Sequence, residues 1–283
     1  MAQKQKHLTV KQLTQYLAYL HREEKSAATV EKYQRDILSF YQYLPEEKRV
    51  DKETVIAYKQ ELALRYKTSS VNSMLVALNG LFSFLGWNEC RVRLFKMQRQ
   101  IFCDSERELT KEEYFRLLDA AKQRQNQRLL LLMQTVCATG IRVSELRFVT
   151  RQAVDSGFAL VRCKGKERKV LIPRPLQKKL LQYSLQQKIQ SGCIFVTRGG
   201  KPLDRSNIWA EMKRLCDLAQ VEAQKVFPHN LRHLFAITYY RLQRDIVRLA
   251  DILGHSNIET TRIYTVTSGQ EHGKQLDRLG LIL

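Results

Sequence analysis

Long apolar runs, closely spaced cysteines and a nucleotide-binding loop are all missing from this 283-residue sequence. No segment approaches the ~20 apolar residues that a membrane span requires, so we expect no membrane association. The six cysteines are scattered and contain no C-x-x-C pair, which favours reduced thiols in a cytoplasmic protein. The G-G-K-P loop at residues 199–202 lacks the G-x-x-x-x-G-K-[ST] arrangement, so we expect no nucleotide cofactor.

Acidic residues are also scarce, with 28 Asp and Glu against 48 Lys and Arg, which gives a formal net charge of +20. A surplus of this size indicates a polyanionic partner, most simply nucleic acid. Ribosomal and membrane-surface proteins can be equally basic, so the charge alone does not decide the function. The length allows two domains, each large enough to bury a core.

The first part of the chain carries four amphipathic helical patterns, in which apolar residues recur at helical spacing. The residues that cap or end these helices are Thr9 with Gln12 (a capping box), Ser26, Asp51 and Gly86. The sequence therefore predicts a small helical bundle over residues 1–98. A polar stretch without periodicity predicts a linker at residues 99–108.

A second domain is predicted to begin just before Thr110, which forms another capping box with Glu113. An almost entirely apolar stretch, residues 129–138, predicts a central buried helix that ends at Gly140. The other predicted elements are a strand pair over residues 158–172 with a tight turn at 164–166, and helices over residues 176–187 and 206–219.

The most informative stretch of the second domain begins F-P-H-N-L-R-H. Pro228 suits the first position of a helix, because its fixed φ is helical and its missing N–H would be unpaired there. His229 and Arg232 then share one helix face near an N-terminus that favours anions. Gly254 is a natural end for the following helix, and His255 lies in the corner after it.

A further helix is predicted after this corner. Ser256 and Glu259 form a capping box for it, and its third turn carries Tyr264. Upstream, A-T-G-I-R-V-S-E-L places Arg142 directly after the buried helix, and C-K-G-K-E-R places Lys164 in the hairpin turn. We expect these side chains to converge on one phosphate.

These residue types suit the attack of an oxygen nucleophile on a phosphodiester. Two guanidiniums, which are planar and stay charged, can bind the non-bridging oxygens bidentately. A tyrosine needs nearby cations and a base to attack at neutral pH, and a histidine can be that base. A lysine can protonate the departing 5′-oxygen. The arginines can stabilise the negative charge that develops on the phosphate, which in other enzymes a metal ion stabilises. Glu145, one turn beyond Arg142, is expected to fix an arginine or a helix end.

A metal site is the other interpretation of the histidines, since His229 and His233 are four residues apart like a zinc pair. Asn230 stands where a zinc peptidase has its glutamate, so we expect no metal. A single histidine or tyrosine in a helix is more typical of packing than of catalysis. Only the ordered combination indicates a site.

Together these motifs resemble the tyrosine recombinase (phage integrase) family over nearly the whole chain. The resemblance implies a mainly α fold with a small β-hairpin, in which a four-helix core-binding (SAM-like) domain precedes a catalytic domain over residues 109–268. It implies a two-domain, Xer-like, site-specific DNA recombinase that needs neither metal nor ATP and forms a 3′-phosphotyrosine intermediate. The implied catalytic residues are Arg142 and Arg232 as phosphate clamps, His255 assisting them, His229 as base, Lys164 as acid and Tyr264 as nucleophile.

The resemblance also implies where DNA is contacted. The hairpin turn is one residue shorter than in the relatives, so Lys166 is an alternative to Lys164 as the acid. Arg244 stands where the family often has glycine, which leaves the tightness of the turn before Asp245 open. The residues expected to contact DNA are Lys67, Thr68, Ser69 and Asn72 at the start of the fourth helix, together with Lys166.

The tail, residues 269–283, is too apolar for an unprotected end. In the family such a tail docks on a neighbouring protomer and so builds a tetramer on double-stranded recombination sites. The alternative is that the tail docks on the catalytic domain of its own chain. A second related recombinase or an accessory protein would be a further partner.

Two other functions stay open at this point. A type IB topoisomerase would share the cleavage chemistry but relax supercoils, and the apolar tail and small helical domain disfavour it. A catalytically inactive DNA-binding regulator would never form a covalent adduct, and the filled motif positions disfavour it.

Overall fold

The computed structural model describes residues 6–96, 107–163 and 165–264, with the backbone alone at residues 163 and 166. The chain divides into two compact units, Met1–Arg99 and Gln100–Leu283. Among the described residues, no helix has both the length and the apolar character needed to cross a membrane.

Four helices make up the first unit, as the apolar spacing predicted. They are α1 (Val10–Arg22), α2 (Ala27–Tyr43), α3 (Lys52–Arg65) and α4 (Thr68–Phe84), and a 3₁₀ helix follows at Asn88–Cys90. A short antiparallel pair, β1 (Lys6–His7) with β2 (Arg49–Val50), joins the start of the unit to the segment before α3. The predicted capping box of Thr9 and Gln12 is present at the start of α1, and Asp51 caps α3.

The core of the first unit lies between α2 and α4, which make the largest helix–helix contact there. Ile37 and Phe40 of α2 and Leu75, Leu78 and Phe82 of α4 have no exposed surface. Burying one such side chain stabilises the fold by roughly 1.5–3 kcal/mol. This packing of amphipathic faces, rather than helix propensity, holds the four helices together.

The second unit is mainly helical, with a single hairpin among its described residues. Its elements are α5 (Lys111–Gln123), α6 (Gln127–Thr139), a 3₁₀ helix (Val143–Phe148), α7 (Arg151–Ser156), β3 (Phe158–Cys163), β4 (Lys166–Leu171), α8 (Arg174–Gln186), α9 (Arg205–Lys213), α10 (Cys216–Ala219), a 3₁₀ helix (Ala223–Lys225), α11 (Pro228–Gln243), α12 (Ile246–Leu253) and α13 (Glu259–Arg262). The strands β3 and β4 pair antiparallel, from Phe158 opposite Leu171 to Cys163 opposite Lys166.

Helix α6 is the central helix of the second unit and packs most extensively against α11. Leu132, Met133 and Val136 have no exposed surface, as the apolar run predicted. The helix ends at Gly140, whose φ of +64° favours glycine. A Cβ at Gly140 would lie 2.5 Å from Cδ1 of Phe235, so this close approach of α11 also requires glycine.

Two expectations about helix limits were wrong. The predicted helix over residues 206–219 is divided into α9 and α10, because the N–H of Leu215 bonds to Met212 three residues back and tightens the turn. The predicted capping box before α13 is also absent. The N–H of Glu259 instead donates to Oδ1 of Asn257 at 2.9 Å, because the short asparagine side chain reaches two residues on.

The turn before α12 forms without glycine. Arg244 ends α11 in the left-handed conformation with φ of 55°, and its N–H bonds to the carbonyl of Tyr240. Asp245 then caps α12 through the N–H of Arg248. The non-glycine residue therefore accepts a strained conformation that the packing of α11 and α12 maintains.

Candidate active site

The N-terminus of α11 forms one wall of a small cavity. Pro228 lies in its first turn as predicted, and His229 and Arg232 project from the same face. The cavity, of ≈ 230 Å³, is lined by Ile141, Arg142, Val143, Ser144, Arg205, Pro228, His229 and Arg232. Two predicted phosphate-binding arginines and the predicted base therefore share one concave space.

Arg232 is almost completely buried, with 2% of its surface exposed. Its Nη1 donates to the carbonyl of Gly140 at 2.5 Å, and its Nη2 donates to the carbonyl of Leu253 at 2.8 Å. The same Nη2 lies 3.0 Å from Nε2 of His255. Burial and the nearby Arg142 lower the pKa of Arg232 to about 10. The guanidinium thus joins the ends of α6 and α12 at an electrostatic cost.

Arg142 is held by Glu145, as the spacing predicted. The Glu145 carboxylate, 3% exposed, accepts hydrogen bonds from the backbone N–H and the Nη1 of Arg142, both at 2.9 Å. Burial alone would raise the pKa of Glu145, but the Arg142 backbone hydrogen bond and the charges of Arg168 and Arg142 outweigh it and lower this pKa. An ionised carboxylate therefore fixes Arg142, whose side chain remains 40% exposed.

Three successive carbonyls at the C-terminus of α12 each receive one arginine. Ile252 accepts from Arg168 at 2.6 Å, Leu253 from Arg232 at 2.8 Å and Gly254 from Arg142 at 3.3 Å. The last carbonyls of a helix lack intrahelical partners and carry partial negative charge, so cations are favourable there. The end of α12 is therefore a common anchor for arginines from three different elements.

Sequence reasoning missed Arg168. The signal was present, because strand alternation places residue 168 on the same face of β4 as the buried Val170. Because its neighbours Glu167 and Lys169 are charged and lie on the exposed face, Arg168 was interpreted as one more solvent-exposed charge.

His255 lies in the corner after α12, as predicted. Its Nδ1 pairs with Oγ1 of the buried Thr261 at 2.8 Å, which fixes the ring orientation. Burial, followed by Arg232 and then Arg142, lowers the pKa of His255 to about 4. The pKa of His229 is lowered too, by burial first and then by Arg232. Both imidazoles are therefore neutral at pH 7.

Tyr264 is 4% exposed and follows the four-residue helix α13, so the prediction that it lies in the third turn of that helix was wrong. Its ring centroid lies 5.0 Å from that of His233 and 6.3 Å from that of His255. Burial raises the pKa of the phenol, while Arg232 and Arg142 act in the opposite direction. The phenol is therefore protonated at pH 7 and needs a base in order to attack.

His233 is a second residue of the site that the sequence did not reveal. It packs on the Tyr264 ring, and its Nε2 lies 3.0 Å from Oε1 of Glu108. Across the described parts of the chain, no three His, Cys, Asp or Glu side chains are arranged to hold a metal ion.

Several predicted residues lie elsewhere. Lys164 and the tail at residues 269–283 are outside the described residues, and Lys166 begins β4 with only its backbone described. Lys67, Thr68 and Ser69 are exposed at the start of α4 in the first unit. Asn72 uses its amide to hold the backbone of Phe95, through Nδ2 to the carbonyl at 2.9 Å and Oδ1 to the N–H at 2.8 Å. Their contacts with DNA stay predictions.

The lowered pKa of His255 predicts acid sensitivity. Because the folded value of about 4 lies below the ordinary 6.5, the unfolded chain binds more protons between these pH values, and stability falls as the pH falls through that window. Melting temperatures of the wild type and of His255→Gln at pH 7.5 and 5.5 test this. The melting temperature of the wild type should fall more between pH 7.5 and pH 5.5 than that of His255→Gln. An equal loss in both proteins would contradict the assignment.

Comparison with known proteins assigns both units. The model of the phage integrase family matches residues 107–271, and that of the phage integrase N-terminal SAM-like domain matches residues 13–89. The tyrosine recombinase XerA of Pyrococcus furiosus is 29% identical over 289 residues, covering 99% of this chain and 97% of that protein. The tyrosine recombinase XerA of Thermococcus kodakarensis is 33% identical over 230 residues, covering 76% and 78%.

A solved structure has the same fold. The crystal structure of the XerH site-specific recombinase bound to its difH substrate matches 94% of this chain and 84% of that chain, with a TM-score of 0.68 and 20% identity. The mainly helical fold with its SAM-like and catalytic domains and the resemblance found in the sequence are thereby confirmed, whereas the predicted limits of the domains stay predictions. The chain belongs to the phage integrase family and is a tyrosine recombinase, a site-specific enzyme that cleaves and rejoins DNA.

Proposed function

We propose that Tyr264 is the nucleophile of this recombinase and that Arg142 and Arg232 hold the phosphate it attacks. The observation that supports this is the shared cavity of Arg142, His229 and Arg232, with Tyr264 buried against the His255 ring that touches Arg232. A phosphodiester in this cavity would meet two fixed guanidiniums. Donors already in place cost no reorganisation when charge develops on the non-bridging oxygens.

The reaction follows from these roles. The Tyr264 oxygen bonds to phosphorus while the bond to the 5′-oxygen breaks, which leaves a 3′-phosphotyrosine link. His229, neutral at pH 7, accepts the phenolic proton, and Lys164 gives a proton to the departing 5′-oxygen. A 5′-hydroxyl of the partner strand then attacks the link and releases Tyr264. One phosphoester replaces another at each step, so neither ATP nor a metal is needed.

The assembly belongs to the same proposal. Double-stranded DNA with a recombination site is the substrate, and the net charge of +20 favours its binding. Four protomers would act on two sites in the cytoplasm, each docking its apolar tail, residues 269–283, on a neighbour. A related recombinase or an accessory protein would complete the complex where two different sites are joined.

The test begins with finding a substrate. Wild-type protein is incubated with a library of random duplexes in EDTA without ATP. The DNA bound under native conditions and the DNA that stays bound after denaturation are recovered separately and sequenced. We expect one enriched duplex, a denaturant-resistant adduct on it, and exchanged products from two labelled copies. Enrichment of bound DNA without any adduct would indicate a regulator. Relaxation of supercoiled DNA lacking that site, without exchange, would indicate a topoisomerase.

A further inference from the structure

Arg168 occupies a buried position between the hairpin and the active site. Its side chain, on β4, is 16% exposed. Nη2 donates to Oε2 of Glu145 at 2.7 Å, and Nη1 donates to the carbonyl of Ile252 at 2.6 Å. These partners lie 23 and 84 residues away in the chain, so one guanidinium connects three separate segments.

Gly254 makes room for this arginine. A Cβ on Gly254 would lie 2.4 Å from Cδ and 2.5 Å from Nε of Arg168, closer than any side chain allows. The Arg168 stem therefore passes directly over the backbone of the corner that carries His255. The same corner gives its Gly254 carbonyl to Nη2 of Arg142.

Glu145 is the shared element of the arrangement. Its Oε1 accepts from Arg142 and its Oε2 accepts from Arg168, so the carboxylate is held from both sides. Without Arg168, the carboxylate would lose one of two charged partners while remaining buried. A buried carboxylate with fewer donors rotates towards those it retains or becomes protonated, and either change moves the Arg142 guanidinium.

We propose that Arg168 is a positioning residue for DNA cleavage, which acts by holding Glu145 so that Arg142 is aimed at the scissile phosphate. The inference rests on the proposed role of Arg142. It assigns to the hairpin a function beyond carrying the predicted acid. Arg168 also binds the Ile252 carbonyl. It therefore keeps β4, the Arg142 guanidinium and the end of α12 in fixed positions relative to one another.

The geometry requires arginine rather than any cation. The two acceptors, Oε2 of Glu145 and the carbonyl of Ile252, are met by two different nitrogens of one planar fork. A lysine ammonium is a single point charge and cannot span both acceptors. We therefore expect Arg168→Lys to fold and to keep the positive charge, but to form the covalent adduct more slowly than wild type.

The experiment measures the rate of adduct formation at saturating DNA for wild type, Arg168→Met, Arg168→Lys and Arg142→Met. The substrate is the duplex that wild type selects, with either a natural scissile phosphate or a methylphosphonate, in which a methyl group replaces one non-bridging oxygen. On the natural phosphate we expect both Arg168 variants to be roughly 10- to 100-fold slower, with DNA affinity within about threefold of wild type.

The methylphosphonate separates positioning from general damage. It is neutral, so it needs less help from the Arg142 charge, and the deficit of Arg142→Met relative to wild type should shrink. If Arg168 acts through Arg142, the rate deficit of the Arg168 variants must shrink in parallel. We therefore expect both variants to form the adduct at a rate within about threefold of wild type on this substrate. A deficit of the same size on both substrates would overturn the proposal.

The control is Arg162→Met on the neighbouring strand. Arg162 pairs with Glu167 across the same hairpin at 2.5 Å, but its side chain is 72% exposed. It should keep the wild-type rate, since an exposed pair contributes little. Wild-type rates for folded Arg168→Met and Arg168→Lys would also overturn the proposal. Failure of the wild type itself to form an adduct would instead reject the proposed roles of Tyr264 and Arg142.

Discussion

Tyr264→Phe should form no covalent adduct with DNA that the wild type cleaves. Only the hydroxyl is removed, and removing a nucleophile slows catalysis by roughly 10⁶-fold. The phenylalanine ring retains the packing against His233 and His255, because those contacts are made by ring atoms. We therefore expect DNA affinity to be unchanged and the free energy of unfolding to change by no more than about 1.5 kcal/mol.

The measurement is a denaturing gel of both proteins on the selected duplex. Tyr183→Phe is the matched control, since Tyr183 is also a buried tyrosine of the second unit but lies on α8. Its charged neighbours are Arg128 and Glu211, whereas those of Tyr264 are Arg232 and Arg142. Tyr183→Phe should form the adduct at the wild-type rate. An adduct with Tyr264→Phe would show that another residue is the nucleophile and would reject the mechanism.

Arg232→Met should separate activity from stability. We expect cleavage at saturating DNA to slow by about 10²–10³-fold, because one of two fixed charge donors is lost. Stability should change little, by less than about 2 kcal/mol, because two effects oppose each other. The carbonyls of Gly140 and Leu253 lose their donor, but a charge whose pKa burial has lowered to about 10 is no longer forced into the interior.

Arg128→Met is the contrasting control. Arg128 also donates to a carbonyl, that of Val196 at 2.7 Å, and to a carboxylate, that of Glu211 at 2.6 Å, but it lies away from the cavity. We expect normal cleavage per folded molecule and a loss of roughly 1–3 kcal/mol in the free energy of unfolding. The Glu211 carboxylate loses its charged partner and keeps only the amide of Asn126, at 3.2 Å. Urea unfolding and adduct rates of both variants test the pair. Normal cleavage by Arg232→Met would contradict the proposed clamp.

Local structure was predicted where a few adjacent residues determine it. The capping boxes at Thr9 and Thr110, the helix start at Pro228 and the left-handed helix ends at Gly140 and Gly254 are all present. Each depends on hydrogen bonds or dihedral preferences within one turn, so sequence spacing is sufficient. The prediction failed at Ser256, where two residues competed for the same helix start and Asn257 made the hydrogen bond.

The sequence by itself determined the family, the two domains and the order of the motif residues, because capping, apolar periodicity and residue type act over short distances. Only the tertiary structure decided that Arg142, Arg168 and Arg232 meet three consecutive carbonyls of α12. The partners lie 21 to 112 residues apart, so no local pattern encodes them. A buried guanidinium is stable only where folding brings enough acceptors together, and that condition exists only in the packed chain.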